Sequence, residues 1–274
     1  MTVEDNSPII SVVMPVYKEP VSLLKRSTDS ILNQTFKNLE LIVVLDDPKN
    51  SEAIQLLKEY AATEPRFLYL IHESNKGISV AVNNGIKLAR GKFIARQDAD
   101  DVSHLNRLEC QYNYMVANPK VDVLGTALMF IDSESDLRFE MKYKPVVGGE
   151  INRICPVGAG SVLIKKEAFF QNGFYGEGLT AAEDYDLWMR WYSKGIVFHN
   201  LQDVLYDYYA PNSIRIKRIK PYLIKTIKCK LNNNKNLNFR LKDFFYLFAQ
   251  MLCALLPGFI IHKLFYFLYG MNQK

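Results

Sequence analysis

Asp98, Asp100 and Asp101 place three carboxylates within four positions, at the end of an apolar run that starts just after Lys92. Carboxylates this close repel one another and hold protons more tightly unless a cation neutralises them. A hard divalent ion that also carries substrate phosphates is the usual solution. A second group, Glu183, Asp184 and Asp186, opens an amphipathic segment whose apolar face is Leu187, Trp188 and Trp191, and the pair Asp46-Asp47 ends the run from Leu39 to Leu45. A carboxylate held beside a hydroxyl can act as a general base. Each group also has a plainer use: Asp101 or Ser103 could cap the following helix, and acids in a first helical turn are ordinary partners of the helix dipole.

Something must hold these acids at one rim, and the order of elements supplies it. Ile9 to Val16 is a nearly continuous β-branched run and reads as a buried strand, followed by the loop from Pro15 to Pro20. A helix with Leu23, Leu24, Ser27, Ser30, Ile31 and Leu32 on one face follows, ending at Gln34-Thr35. Leu39 to Leu45 is the second strand, Ser51 to Ala62 a helix, Phe67 to Ile71 the third strand and Asn75-Lys76-Gly77 its loop. Ser79 to Ala89 is a helix, Phe93 to Ala95 the end of a fourth strand, and Asn106 to Ala117 a helix stopped by Asn118-Pro119. This alternation predicts a parallel, doubly wound α/β sheet with right-handed crossovers, which binds ligands beyond the carboxyl ends of its strands. Neither a Gly-x-Gly-x-x-Gly nor a Gly-x-x-x-x-Gly-Lys-Ser/Thr motif occurs, which argues against a dinucleotide dehydrogenase and a P-loop ATPase. A nucleotide bound here has to be held by acids and a metal.

The second half changes character. Val121 to Ile131 reads as a strand, Asp132 to Gly149 as a polar excursion with a hairpin, Gly158 to Ile164 as another strand, and Phe169 to Gly178 as an aromatic, glycine-rich loop. Charge divides sharply. Residues 1–210 hold 22 Lys/Arg against 28 Asp/Glu, about −6, and residues 211–274 hold 12 against 1, about +11. Ten of those bases lie between Arg215 and Lys242, followed by a mostly apolar stretch from Phe244 to Ile261 that Gln250 and Pro257-Gly258 interrupt. A spanning helix needs about 20 apolar residues, so two interfacial helices meeting at Pro257-Gly258 are expected, on an anionic membrane surface rather than on nucleic acid. Cys110, Cys155, Cys229 and Cys253 show no Cys-x-x-Cys spacing and fit reduced thiols in a cytosolic setting. Met1 to Pro8 carries acids and no apolar core, so no signal peptide is expected.

Five motifs stand in order: Pro15-Val16-Tyr17-Lys18-Glu19, Asp46-Asp47, Asn75-Lys76-Gly77, Asp98-Ala99-Asp100-Asp101 and Glu183-Asp184-Tyr185-Asp186-Leu187-Trp188. Together they resemble family 2 of the inverting glycosyltransferases, of the bacterial surface-polysaccharide type, over about residues 8–213. The resemblance implies a GT-A-type, mainly parallel sheet with flanking helices in a catalytic domain 1–213, leaving 214–274 as a helical, membrane-associating tail. It implies a nucleotide-sugar donor, usually a UDP-sugar, with Mg2+ or Mn2+ at Asp98 and Asp100. Asp100 would ligate the metal, Asp98 would bind the ribose or join the metal, and Asp184 would be the catalytic base. Tyr17 would lie against the uracil, Asp46 or Asp47 would accept from the ring nitrogen of the base, and Glu19 would help hold the ribose. Pro15, Lys76, Gly77, Arg96 and Ala99 would complete the donor site.

Three departures from the family pattern stand out. Asp46-Asp47 runs into Pro48-Lys49-Asn50 where Asp-Asp-Gly-Ser is frequent, and Val82 stands where the family often has an arginine. Lys76, Arg90 or Arg96 is left to supply positive charge near the diphosphate. The common Tyr-Arg-x-His segment reads Tyr208-Tyr209-Ala210-Pro211, so no histidine ligand is expected, and His72, His104 and His199 are structural or exposed.

A divalent cation spreads the charge of a departing nucleoside diphosphate without proton transfer. One carboxylate activating the acceptor hydroxyl on the opposite face inverts the anomeric centre, and Asp184 suits that face. The acceptor expected is a lipid-linked glycan at the cytoplasmic face of the membrane, in surface polysaccharide assembly. Glycosidases also pair carboxylates but need no metal on a diphosphate. The competing functions are a non-catalytic nucleotide-sugar or glycan binding module on the same fold, and a metal-dependent hydrolase of nucleotide sugars, which would form product without acceptor.

Overall fold

The computed structural model describes residues 7–179, 181–233, 239–261 and 263–264. The chain runs β1 (Ile10–Val16), α1 (Val21–Leu32), β2 (Leu39–Leu45), α2 (Ser51–Thr63), β3 (Phe67–Ile71), α3 (Ile78–Leu88), β4 (Phe93–Arg96), β5 (Val102–Ser103), α4 (Arg107–Ala117), β6 (Val123–Ile131) and β7 (Arg138–Met141). It continues through β8 (Leu163–Lys165), α5 (Lys166–Asn172), α6 (Glu183–Tyr192), β9 (Phe198–Tyr209), α7 (Asn212–Asn233) and α8 (Leu241–Leu255). The acidic start of the chain and the aromatic turn expected after residue 264 lie outside the described residues.

β1 is buried along its whole length and alternates between two cores, as a strand covered on both faces must. Val12, Met14 and Val16 face Leu24 and Ile31 of α1, while Val13 packs with Ala81, Val82 and Ile86 of α3. Gly85 makes that second approach possible: a Cβ there would stand 2.4 Å from Val13 Cγ1.

The sheet order is β3-β2-β1-β4-β8-β6-β9-β5, with β7 beside β6. β3, β2, β1 and β4 are parallel, as the alternation predicts. The expectation of a mainly parallel sheet needs correcting, because the second half is mixed. β8 is antiparallel to both β4 and β6, β9 runs parallel to β6, and β5 and β7 are antiparallel edge pieces. Parallel neighbours need a long crossover, usually a helix. β6 instead turns straight back into β7, and β8 enters the gap beside β4 through a 3-10 turn at Ala159–Ser161. The stretch expected as a strand from Gly158 to Ile164 is thus half turn, and the expected loop begins with α5.

Pro257-Gly258 does break the apolar stretch, after α8. Among the described residues no helix is long and apolar enough to cross a membrane. α7 and α8 lie against the body: Cys229 Sγ is 3.9 Å from Ala182 O, and Lys230, fully buried, donates from Nζ to Arg153 O at 2.6 Å and to Gln250 Oε1. The buried carboxylate of Asp243 accepts from Asn152 Nδ2 and pairs with Arg153 at 3.5 Å.

Candidate active site

The turn after β4 is clamped from beneath by α1. Ser27 Oγ donates to Asp98 O (2.8 Å), Arg26 Nη2 donates to Asp100 O (2.6 Å), and Gln97 Nε2 donates to Asp101 O (3.1 Å). With its backbone fixed, the turn divides its acids. Asp101 is buried, accepting from Tyr206 Oη (2.9 Å) and from the Tyr209 N–H (2.8 Å). Burial and the charges of Asp98 and Asp100 push its carboxyl well up. Asp101 therefore ties β9 to the turn and caps no helix; α4 starts from Asn106, and Ser103 donates to Gln97 Oε1 instead.

Asp98 and Asp100 are the acids left for a ligand. Burial first, then the charges of Asp98 and Glu19, push Asp100 up to about 6. Asp98 Oδ1 accepts from Arg96 Nε and Nη2 at 3.2 and 3.0 Å. Gly160 approaches so closely that a Cβ would lie 2.9 Å from Asp98 Oδ2 and 2.4 Å from Tyr206 Oη. Ala99 between them is buried, and Pro15 is buried in β1.

Arg96 is the hinge between the two acidic groups. Burial opposes its charge, but Asp98, Tyr175 and Glu183 more than offset it. On the far side, α6 opens at Ala182, the one described non-glycine residue with positive φ (58°), which turns Glu183 and Asp184 into the site. Asp184 Oδ1 accepts from the Tyr185 N–H at 2.7 Å, and Cys155 Sγ lies 3.9 Å from Oδ2. Burial raises the Asp184 carboxyl, and burial with the Asp184 charge pushes Glu183 up to about 7. Asp186 is spent on Arg190 at 2.8 Å.

On the strand-end side, Asp46 is buried and engaged with the protein. Oδ1 accepts from the Lys76 N–H (2.8 Å) and meets His72 Nδ1 (2.7 Å), and Oδ2 accepts from the Gly77 N–H (2.8 Å). It anchors the loop that opens α3, with Gly77 at φ 87° as its turning point. Asp47 is the less buried member of the pair, its Oδ1 accepting from Lys49 N–H. Tyr17 is 39% exposed, and its N–H donates to Glu19 Oε2 at 2.7 Å. Of the histidines, His72 is buried on Asp46, His104 pairs with Asp207 at 2.9 Å, and His199 Nδ1 meets Tyr114 Oη at 2.8 Å.

The supports Arg26, Ser27, Gln97, Arg107 and Tyr206 carry no sequence signal of their own. Arg107 is wholly buried and donates to the Arg96 and Gly160 carbonyls, both at 3.1 Å. Only the pairing of distant strands reveals their role.

Residues 11–174 match the model of the glycosyl transferase family 2. The chain belongs to glycosyltransferase family 2. An uncharacterized glycosyltransferase of Methanocaldococcus jannaschii is 34% identical over 272 residues, covering 95% of this chain and 94% of its own. The O-antigen biosynthesis glycosyltransferase WbnJ of Escherichia coli is 32% identical over 220 residues, 78% of this chain and 84% of its own. Among solved structures, a fragment of S. aureus TarS in complex with UDP is 19% identical with a TM-score of 0.62, over 79% of this chain and 64% of that one. The mannosyltransferase PcManGT of Pyrobaculum calidifontis, in complex with GDP-Man and Mn2+, is 18% identical with a TM-score of 0.62, over 96% and 80%. Those two likenesses establish the GT-A-like fold, and the family membership rests on the sequence.

Proposed function

We propose that this family 2 glycosyltransferase is inverting and metal-dependent, moving a sugar from a UDP-sugar to a lipid-linked glycan in surface polysaccharide assembly. The observation that carries the reading is the division of the acids: Asp98 and Asp100 on one turn, Asp184 on another element, and Arg96 between them. The donor set fits the cation. Magnesium-like ions take one or two carboxylates and complete their shell with substrate phosphates, and Asp98 and Asp100 offer two hard oxygen ligands on one turn, Asp100 held up by burial and by the Asp98 charge beside it. Bound there, Mg2+ or Mn2+ would supply charge stabilisation for the departing diphosphate.

The chain's own residues do the rest. Asp184, once ionised, accepts the proton of the acceptor hydroxyl as that oxygen attacks the anomeric carbon. Attack from the face away from the diphosphate inverts the centre. Arg96 holds Asp98 in place and keeps a positive charge beside Glu183 and Asp184, favouring their ionised forms. Tyr17, Glu19 and Asp47 are exposed enough to meet the nucleoside. WbnJ and the amylovoran biosynthesis enzyme AmsE of Erwinia amylovora support a polysaccharide role, and TarS bound to UDP-GlcNAc supports a UDP-sugar.

The same reading places the protein at the cytoplasmic face of the membrane, residues 1–213 forming the catalytic domain and 214–274 the membrane-associating part. α8 supports it: Phe245 is 67% and Leu255 77% exposed, with Phe244, Phe248 and Leu252 also uncovered, beside a strongly basic α7. The deciding experiment is a screen of radiolabelled UDP- and GDP-sugars with a lipid-linked acceptor, with Mn2+ and with EDTA, followed by anomeric analysis of the product. A product retaining the donor configuration, or full turnover in EDTA, would overturn the reading.

A further inference from the structure

Helix α7 reaches from one acidic group to the other. It follows on Tyr209, whose N–H donates to Asp101 at 2.8 Å, and its Ser213 N–H donates to Glu134 Oε2 at 2.8 Å. Farther along, Cys229 lies 3.9 Å from the carbonyl of Ala182, the residue that opens α6, and Lys230 donates to Arg153 O. A straight rise of about 1.5 Å per residue gives the intervening helix the length to cross the mouth between them. Gly258 packs back on it, a Cβ there standing 3.0 Å from Ile216 O.

Arg218 and Tyr222 are one turn apart on this helix and share a face. Tyr222 and Arg218, two and three turns before Cys229, stand on the same stripe of α7 that Cys229 turns towards Ala182 at the opening of α6, and the Arg218 charge acts in the direction that lowers the Asp100 carboxyl, against the larger effect of burial. Both side chains are exposed. Arg218 has no hydrogen-bond or ion-pair partner among the described residues, whereas Arg96 is committed to Asp98. An unengaged guanidinium beside a metal-type carboxylate is suited to a phosphate, whose oxygens match its planar fork.

We propose that α7 roofs the donor site, that Arg218 donates hydrogen bonds to the diphosphate of the donor, and that Tyr222 walls the same site beside Asp184. This rests on the nucleotide-sugar reading above. It assigns a donor-binding role to a segment that the sequence presents only as a basic tail.

The test is calorimetric titration of the full-length protein with UDP and with uridine in Mn2+, comparing wild type, Arg218→Gln and Arg218→Lys, with GDP and guanosine in parallel. A charge-assisted hydrogen bond of the usual strength predicts that Arg218→Gln weakens the diphosphate by roughly tenfold to a hundredfold. Binding of the nucleoside and the thermal melt should stay at wild-type values, and Arg218→Lys should recover part of the loss. Unchanged diphosphate affinity in Arg218→Gln, or equal losses for diphosphate and nucleoside, would overturn the assignment. If wild type binds neither diphosphate, the donor reading itself fails and takes this inference with it.

Discussion

On the proposed reading Asp100 and Asp184 carry different parts of the reaction, and their removal should separate them. Asp100→Asn should cut turnover by at least a hundredfold and weaken UDP binding in Mn2+ while leaving the melt unchanged; equal UDP affinity in Mn2+ and EDTA would count against a metal there. Asp184→Asn should lower kcat by roughly 10²–10⁴-fold with donor affinity nearly intact, because a general base acts mainly in the transition state. Steady-state kinetics beside calorimetry distinguishes the two. Glu183 offers a third handle. Burial and the Asp184 charge push its carboxyl up to about 7, above the ordinary 4.5, so the folded protein binds the proton more tightly than the unfolded chain does. That contribution is fully present below the unfolded value and is lost as pH rises through about 7. Relative to wild type, Glu183→Gln should be near neutral at low pH and gain stability towards pH 8 without metal. Parallel melts across pH check it, and a constant difference would place the Glu183 proton elsewhere.

The elements explain why only part of the site could be read from residues in sequence. β1, β2 and β4 announce themselves through largely apolar runs that lead to Asp46-Asp47 and to Asp98, since strands covered on both faces are mostly apolar. The turn between Asp98 and Asp101 was legible as acidic, but the separation of a structural Asp101 from the ligand-facing acids was not. That separation is made by Tyr206, 105 residues away, on a strand whose mixed apolar and polar sequence gives no warning of its place beside β6. The partners of Asp46 are hidden for a similar reason, His72, Lys76 and Gly77 lying on another loop. Tyr206→Phe tests the tether. It leaves one oxygen of a buried carboxylate without its donor, so stability should fall by about 1–3 kcal/mol. The urea midpoint should drop, and metal-dependent UDP affinity should drop with it, because the Asp98 N–H loses the same hydroxyl at 3.1 Å. A lower midpoint with unchanged UDP affinity would confine Tyr206 to holding the fold.

At the scale of the molecule, charge and grease are segregated: an acidic body around the site, and a basic hairpin with an uncovered aromatic side. Docking of that side on a bilayer should show two components. Each well-placed Lys or Arg contributes about 1 kcal/mol at an anionic surface, and this part weakens with salt. Burying an aromatic or leucine side chain contributes about 1.5–3 kcal/mol and does not. The triple substitution Phe245→Ser, Phe248→Ser and Leu252→Ser should therefore lower co-sedimentation with anionic vesicles at least tenfold, in low and high salt alike, while UDP binding persists. Equal sedimentation of variant and wild type would remove the membrane from the account.

The tether between Asp101 and Tyr209 spans 108 residues. Contacts so far apart in sequence are slow to form, because a large loop must close before they repay it. During synthesis, β1 to β4 can emerge and pair early, yet the acidic turn stays unfastened until β9 has left the ribosome, and Arg218 arrives later still. A nascent chain would carry a finished nucleotide-side sheet and an unfastened acidic turn, so the site is expected to assemble only as the last helices emerge, the same ones proposed above to meet the membrane.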